Sequence, residues 1–506
     1  MDSLFNRLAA DGRAALRRTV DFWRGRWIAH SLLLAVFVAV HTLYYGLGGV
    51  FDADIFSFWQ VIDLDLLKHR LLESLWYLHM QPPLFNGFLG LVEKWSFGSA
   101  YSVYGAVYLA FGLVAACSLL HLQLRFHIAA PIALGVTSLC LISPSWFLYE
   151  NWLMYTFPVM ALLGLSAVRM HIYLERPTIR NGIWFFGLLA VLVYLRSLFQ
   201  FGWFVFAAAL AWMHLKDRRL DVAKALAVPL ALVFLLYLKN WLVFGTWATS
   251  TWLGPNLMVM TRLVPPDIRR DLVLKGELST LSYVHPFYPI ESYRGYTQVD
   301  PNQTWGVPVL DRMLKSDGDQ NRNHGLYLMI NRTNLRDACV LIRAAPGYYL
   351  QTVAEAWRRF CLPAWNYRYF RGQNPVFLEG MVKWNHWLLG WPEEDFINQL
   401  RKIEGDPRLT AFCWLLPALA LGGIVLLLLP GHITRFSSVD RIVLLFVLIT
   451  LLMVTFEGTF CLHRENNRIR FVLTPYFALL VGLLADRMVQ AVRRLIGFPT
   501  APAALP

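Results

Sequence analysis

Long apolar runs separated by short basic gaps set the pattern of this chain. A membrane-crossing helix needs roughly 20 mostly apolar residues, and such runs recur from residue 27 to residue 489. The first covers 27–50 and is followed by a semi-polar stretch, 51–98. The next three cover 103–122, 130–147 and 152–171. Two short runs, 183–195 and 199–214, form a tight pair whose length implies tilt or local membrane thinning. A seventh covers 222–238, and a long mixed stretch, 245–409, separates it from three more at 410–430, 439–456 and 471–489. The pattern predicts an all-α polytopic membrane protein with about ten transmembrane helices.

Charge fixes the expected orientation. Arg7, Arg13, Arg17, Arg18, Arg24 and Arg26 precede the first run, interspersed with Asp2, Asp11 and Asp21. Segment 1–26 therefore reads as an amphipathic cytoplasmic helix, and the first run as a retained anchor without a cleavage site. Each later basic gap then falls on the same side: Arg125, then Arg169 to Arg180, then Lys216 to Arg219, then Arg487 to Arg494. The expected organisation is a membrane core over 27–244 with a first outer loop at 51–102. A helical or irregular outer insertion (245–409), a second membrane part (410–490) and a cytoplasmic tail (491–506) follow. Within the outer segments, 83–92 reads as a helix able to dip into the bilayer. Stretch 347–360 is amphipathic enough to lie along its surface.

Composition agrees. Of 506 residues, 57% are hydrophobic and 16% charged, and the mean hydropathy of +0.45 suits a lipid-facing surface better than a watery one. The net charge of +13 lies in the gaps between apolar runs, which is topology rather than nucleic-acid binding. Among six cysteines, Cys117, Cys140 and Cys413 fall in apolar runs. Cys339, Cys361 and Cys461 fall outside, where a disulfide between two of them is open.

Polar groups at the outer ends of the runs are the candidate chemistry, because charge at a membrane exit is costly to place. Asp52 and Asp54 follow the first run amid aromatics, and either suits a general base. His79, Gln81 and the Pro82-Pro83 pair open the helix in the same loop. Tyr149 and Glu150 sit at the junction of the third and fourth runs. Glu150 and Asp54 offer oxygen ligands for a divalent cation such as Mg²⁺ or Mn²⁺, although nothing in the pattern requires a cofactor. Arg196, Lys239, Arg468 and Arg470 stand on the side where positive charge does not anchor topology, with Arg464 facing solvent. Guanidinium forks match phosphate oxygens, so these cations suit an anionic ligand. The set describes one cavity with an acidic end and a phosphate-binding end.

These residues resemble the integral-membrane glycosyltransferases of the C-type fold, nearest the branch of the protein O-mannosyltransferases and the lipid A aminoarabinose transferase. Asp52-Ala53-Asp54 stands where that family carries an acidic motif, commonly Asp-Glu. His79-Met80-Gln81-Pro82-Pro83-Leu84 stands where it carries a His-Pro-Pro-Leu-type motif. Arg196 matches its outer cation after the fifth span, and Glu465-Asn466-Asn467-Arg468 matches its polar motif before the last. The likeness covers residues 28–245 and 410–490 and shows no signature between them.

The resemblance implies sugar transfer from a polyprenyl-phosphate carrier to a periplasmic lipid, glycan or protein hydroxyl at a bacterial inner membrane. The implied mechanism is inverting, with Asp54 (or Asp52) as base and Arg196 and Arg468, joined by Lys239, at the leaving phosphate. The alternatives are a glycan polymerase or ligase with a polyprenyl-diphosphate donor, a lipid-linked sugar flippase, and an inactive assembly subunit.

Overall fold

Inside a bilayer no water can satisfy a bare N–H or C=O, so an apolar chain closes its hydrogen bonds within helices. The computed structural model describes residues 27–96, 98–296, 303–364, 374, 378, 407–430, 434, 436–463 and 465–496. The N-terminal segment 1–26, Arg464, most of 365–406 and the tail beyond 496 lie outside the described residues. Regular structure among the described residues is helical. The extended pairings there are two isolated bridges, Asp52 with Trp152 and Leu314 with Gln320.

The first half of the chain forms α1 (Trp27–Gly46), α2 (Pro83–Trp95), α3 (Ala100–Arg125), α4 (Ala130–Leu141), α5 (Pro144–Glu150) and α6 (Thr156–Glu175). Next come α7 (Ile179–Leu195), α8 (Phe201–His214) and α9 (Arg219–Phe244). The insertion contributes α10 (Leu253–Met260), α11 (Leu326–Ala344) and α12 (Pro346–Cys361). The chain then forms α13 (Pro407–Leu428), α14 (Ser438–Phe456), α15 (Asn466–Phe471) and α16 (Thr474–Leu495).

Among the described residues six helices, α1, α3, α6, α9, α14 and α16, are long and apolar enough to cross a membrane, and a seventh span results if bent α4 and α5 count together. The expected ten is therefore not reached on length and composition. The three remaining runs correspond to α7, α8 and Cys413–Leu428, which are apolar but shorter. Seventeen residues of α7 rise only about 25 Å, against a hydrocarbon core of about 30 Å.

Local chemistry explains where helices break. Pro144 disfavours a helical residue before it, and Ser143 is extended while its hydroxyl caps α5. The chain bends there by 60°. Gly245, in the left-handed region at φ 60°, closes α9. Ser437 and Asp440 form a reciprocal cap that starts α14.

The most enclosed span is α6, with 78% of its apolar window buried. It packs against α3, α7 and α14. The amphipathic stretch in the insertion is α12, whose buried face holds Thr352, Val353, Ala356 and Phe360. That face packs on α15 and on the π-turn Glu457–Cys461, so protein rather than membrane covers it.

The insertion also clamps the first loop. Arg312 pairs with Asp63 at 3.0 Å and Asp65 at 2.8 Å. Buried Lys315 donates to the Phe56 and Phe58 carbonyls at 2.8 and 2.7 Å. Burial brings the Lys315 ammonium down to about 8.

Candidate active site

The first loop, the α7–α8 turn, the insertion and the segment after α14 close around a cavity of about 1110 Å³. Its wall includes Asp52, Asp54, Gln81, Arg196 and Arg468, residues drawn from three separate parts of the chain. This is the convergence on which the sequence reading depends.

Backbone pairing places the acidic loop. The Asp52 N–H donates to the Asn151 carbonyl at 2.7 Å, and the Leu153 N–H donates to the Asp52 carbonyl at 2.8 Å. Residues 152–155 are thereby drawn out of the expected fourth span, and α6 begins only at Thr156. The Asp52 carboxylate accepts the Asp54 N–H at 3.0 Å, a turn that points the exposed Asp54 side chain into the cavity. Burial lifts the Asp52 carboxyl above its ordinary range. The Asp54 charge adds to the rise, and the hydrogen bond from Asp54 works against it.

Arg196 and Arg468 are both buried, and both lie on Tyr155. Their guanidinium carbons stand 4.9 and 5.6 Å from its ring centroid, within cation–π range. The Tyr155 hydroxyl donates to Gln60 Oε1 at 2.6 Å, which ties the ring to the first loop. Glu465 is ion-paired to Arg468, and Glu457 interacts electrostatically with Arg196. The Glu465 carboxylate therefore accompanies buried Arg468, which lowers the cost of keeping that cation out of water.

Other expected site residues are placed elsewhere. Lys239 donates to the Trp76 and Leu78 carbonyls at 3.0 and 3.3 Å. It fastens the first loop to α9 and is not part of the cavity wall. Arg470 donates to the Phe360 and Leu362 carbonyls at 2.7 and 2.8 Å. It lines a second cavity of about 340 Å³ beside Trp146 and Phe471. His79 is buried between Thr251 Oγ1 at 2.9 Å and the Asn323 carbonyl at 3.1 Å. Tyr149 stacks on Phe471 with ring centroids 4.2 Å apart, and its hydroxyl donates to the Ala364 carbonyl.

Glu150 is buried against His41 Nε2 at 2.9 Å. Glu150 and Asp54 thus have different surroundings. Among the described residues no group of three or more His, Cys, Asp or Glu gathers with metal-binding geometry. All six cysteines are free thiols, Cys339, Cys361 and Cys461 among them.

The structure adds residues that the sequence reading passes over. Tyr155, Glu457 and Arg322 line the cavity, and His41 holds Glu150. Glu457 and His41 carry a readable signal, since each is a polar group inside or beside an apolar run. Tyr155 and Arg322 carry none, because nothing local marks the cavity they face.

Apolar spans together with a cavity lined by charged and aromatic side chains define a helical membrane protein with a small-molecule-sized site. No protein-family model matches the chain, and no curated protein or solved structure matches it either.

Proposed function

We propose that this protein is a membrane glycosyltransferase that moves a sugar from a polyprenyl-phosphate carrier to an acceptor hydroxyl. The observation that carries this reading is the meeting of Arg196, Arg468 and Asp54 in one cavity wall. In the proposed reaction the acceptor oxygen bonds to the anomeric carbon as the bond from that carbon to phosphate breaks. The electron pair passes to the phosphate, whose negative charge grows by one unit, and the proton passes to Asp54. A phosphate needs no general acid to leave, but its growing charge needs preorganised cations. Arg196 supplies one from the α7–α8 turn and Arg468 the other from α15. Asp52 orients the loop through its bond to the Asp54 N–H. Direct displacement without a glycosyl-enzyme intermediate gives inversion.

Arg125 ends α3, Arg218 precedes α9 and Arg493 lies in the last turn of α16, while the opposite ends of these helices adjoin the cavity-lining residues Tyr101, Ser250 and Ile469. By the positive-inside rule this arrangement supports a cavity on the outer, periplasmic face of a bacterial inner membrane.

The test is a donor comparison. The purified chain, reconstituted in sealed liposomes with source-cell envelope as acceptor, receives the same labelled sugar on a polyprenyl monophosphate or diphosphate. Transfer from the monophosphate supports the reading, and transfer from the diphosphate alone favours a polymerase or ligase. Movement of lipid-linked sugar across the bilayer without transfer overturns it in favour of a flippase.

A further inference from the structure

This inference rests on the transfer reading and concerns the acceptor. Trp59 of the first loop and Phe287 of the insertion stack with ring centroids 5.9 Å apart. Trp252 meets Phe287 edge-on at 5.3 Å. The Arg322 guanidinium lies 4.8 Å from the Trp59 ring centroid and donates to the Tyr288 carbonyl and the Tyr327 hydroxyl, which fixes it there. All four side chains line the cavity that contains Asp54.

Two features set this shelf apart from ordinary packing. Trp59 keeps 40% of its surface open. Phe287 has φ 68°, in the left-handed region that a bulky residue adopts only where surroundings hold it. Strain of this kind gathers at ligand clamps and catalytic sites. Here it turns an aromatic ring toward the cavity.

A sugar ring suits such a shelf. Its C–H face is apolar and slightly positive, and it stacks on the negative face of an aromatic ring. Its hydroxyl edge needs hydrogen-bonding groups, and the same cavity wall carries His285, Asp319 and Arg322. A prenyl tail would instead require a continuous apolar wall opening on lipid. These rings stand on loops outside the spans. We infer that the acceptor hydroxyl belongs to a carbohydrate, whose ring rests on Trp59 and Phe287 while the hydroxyl faces Asp54.

The test uses source cells lacking this gene, grown on tritiated monosaccharides so that their lipid-linked sugars carry label. Their envelopes are mixed with the purified chain, and the product linkage is determined. Label joined to another sugar supports the inference, and solubility in chloroform–methanol then separates a glycolipid from a polysaccharide. Label joined to a protein side chain, or to a lipid with no intervening sugar, overturns the inference and leaves the transfer reading standing. No transfer to any fraction overturns both.

Phe287→Gly removes the ring yet suits the left-handed backbone, so it separates ring loss from misfolding. It and Trp59→Ala are each expected to raise the acceptor KM about three- to tenfold, the scale of one lost aromatic contact. Donor KM stays within about twofold, and Trp59→Phe recovers most of the loss. An unchanged acceptor KM in both variants contradicts the shelf.

Discussion

Arg196 and Arg468 share an aromatic neighbour: both place their guanidiniums against the ring of Tyr155, although one follows α7 and the other lies in α15. In the proposed reaction two cations held on one ring act on one phosphate, so their effects should not multiply. Arg196→Ala and Arg468→Ala are each expected to lower kcat/KM about 100-fold, the scale of one lost charge-stabilising donor. The double variant should lose much less than the product of the two. Transfer assays on the three variants, with thermal unfolding as a folding control, check this. Fully multiplicative losses would place the two arginines on separate tasks.

The buried pair of His41 and Glu150 depends on a glycine. A Cβ built on Gly112 of α3 would lie 1.8 Å from Glu150 Oε1 and 3.3 Å from Phe37. Gly112→Ala must therefore push the carboxylate off His41 or separate α3 from α5. Overpacking of this kind costs about 1–3 kcal/mol. A lower apparent unfolding temperature in detergent, with catalytic constants per folded molecule nearly unchanged, is the expected result. Wild-type stability would mean that the carboxylate is not seated against α3.

How much of this was legible in the sequence follows from what a polar group at a membrane boundary can tell. Asp52, Asp54, Arg196 and Arg468 stand out because charge there is expensive, and all four line the cavity. Lys239 and Arg470 stand out for the same reason, yet backbone carbonyls occupy their donors. Sequence marks the cost of the charge but not which acceptor meets it. The aromatic shelf was hidden for another reason: Trp59 and Phe287 are far apart in sequence and meet only once Arg312 and Lys315 have drawn the insertion onto the first loop. The long spans were readable because each is apolar over its whole length. The 60° bend and the drawing of 152–155 into the Asp52 bridge depend on tertiary pairing.

His79 gives the fold a pH dependence of definite sign. Burial holds its imidazole down to about 3, from an ordinary 6.5. The folded chain keeps it neutral between Thr251 and Asn323, while the unfolded chain takes up a proton near 6.5. Its contribution to stability is therefore complete above about pH 6.5 and is lost progressively as pH falls toward about 3. Apparent unfolding temperatures between pH 7 and 4 should fall on acidification, and His79→Gln should flatten that slope. An equally steep slope in the variant would assign the acid sensitivity to other groups.

Asp54 bears the central claim most directly, because only its role as base requires a carboxylate at that position. The decisive measurement is the sugar-transfer rate of purified Asp54→Asn under saturating donor and acceptor. The account predicts a fall of about 100- to 10,000-fold, the range for loss of a positioned base, with donor KM unchanged. Transfer by that variant at the wild-type rate would contradict it.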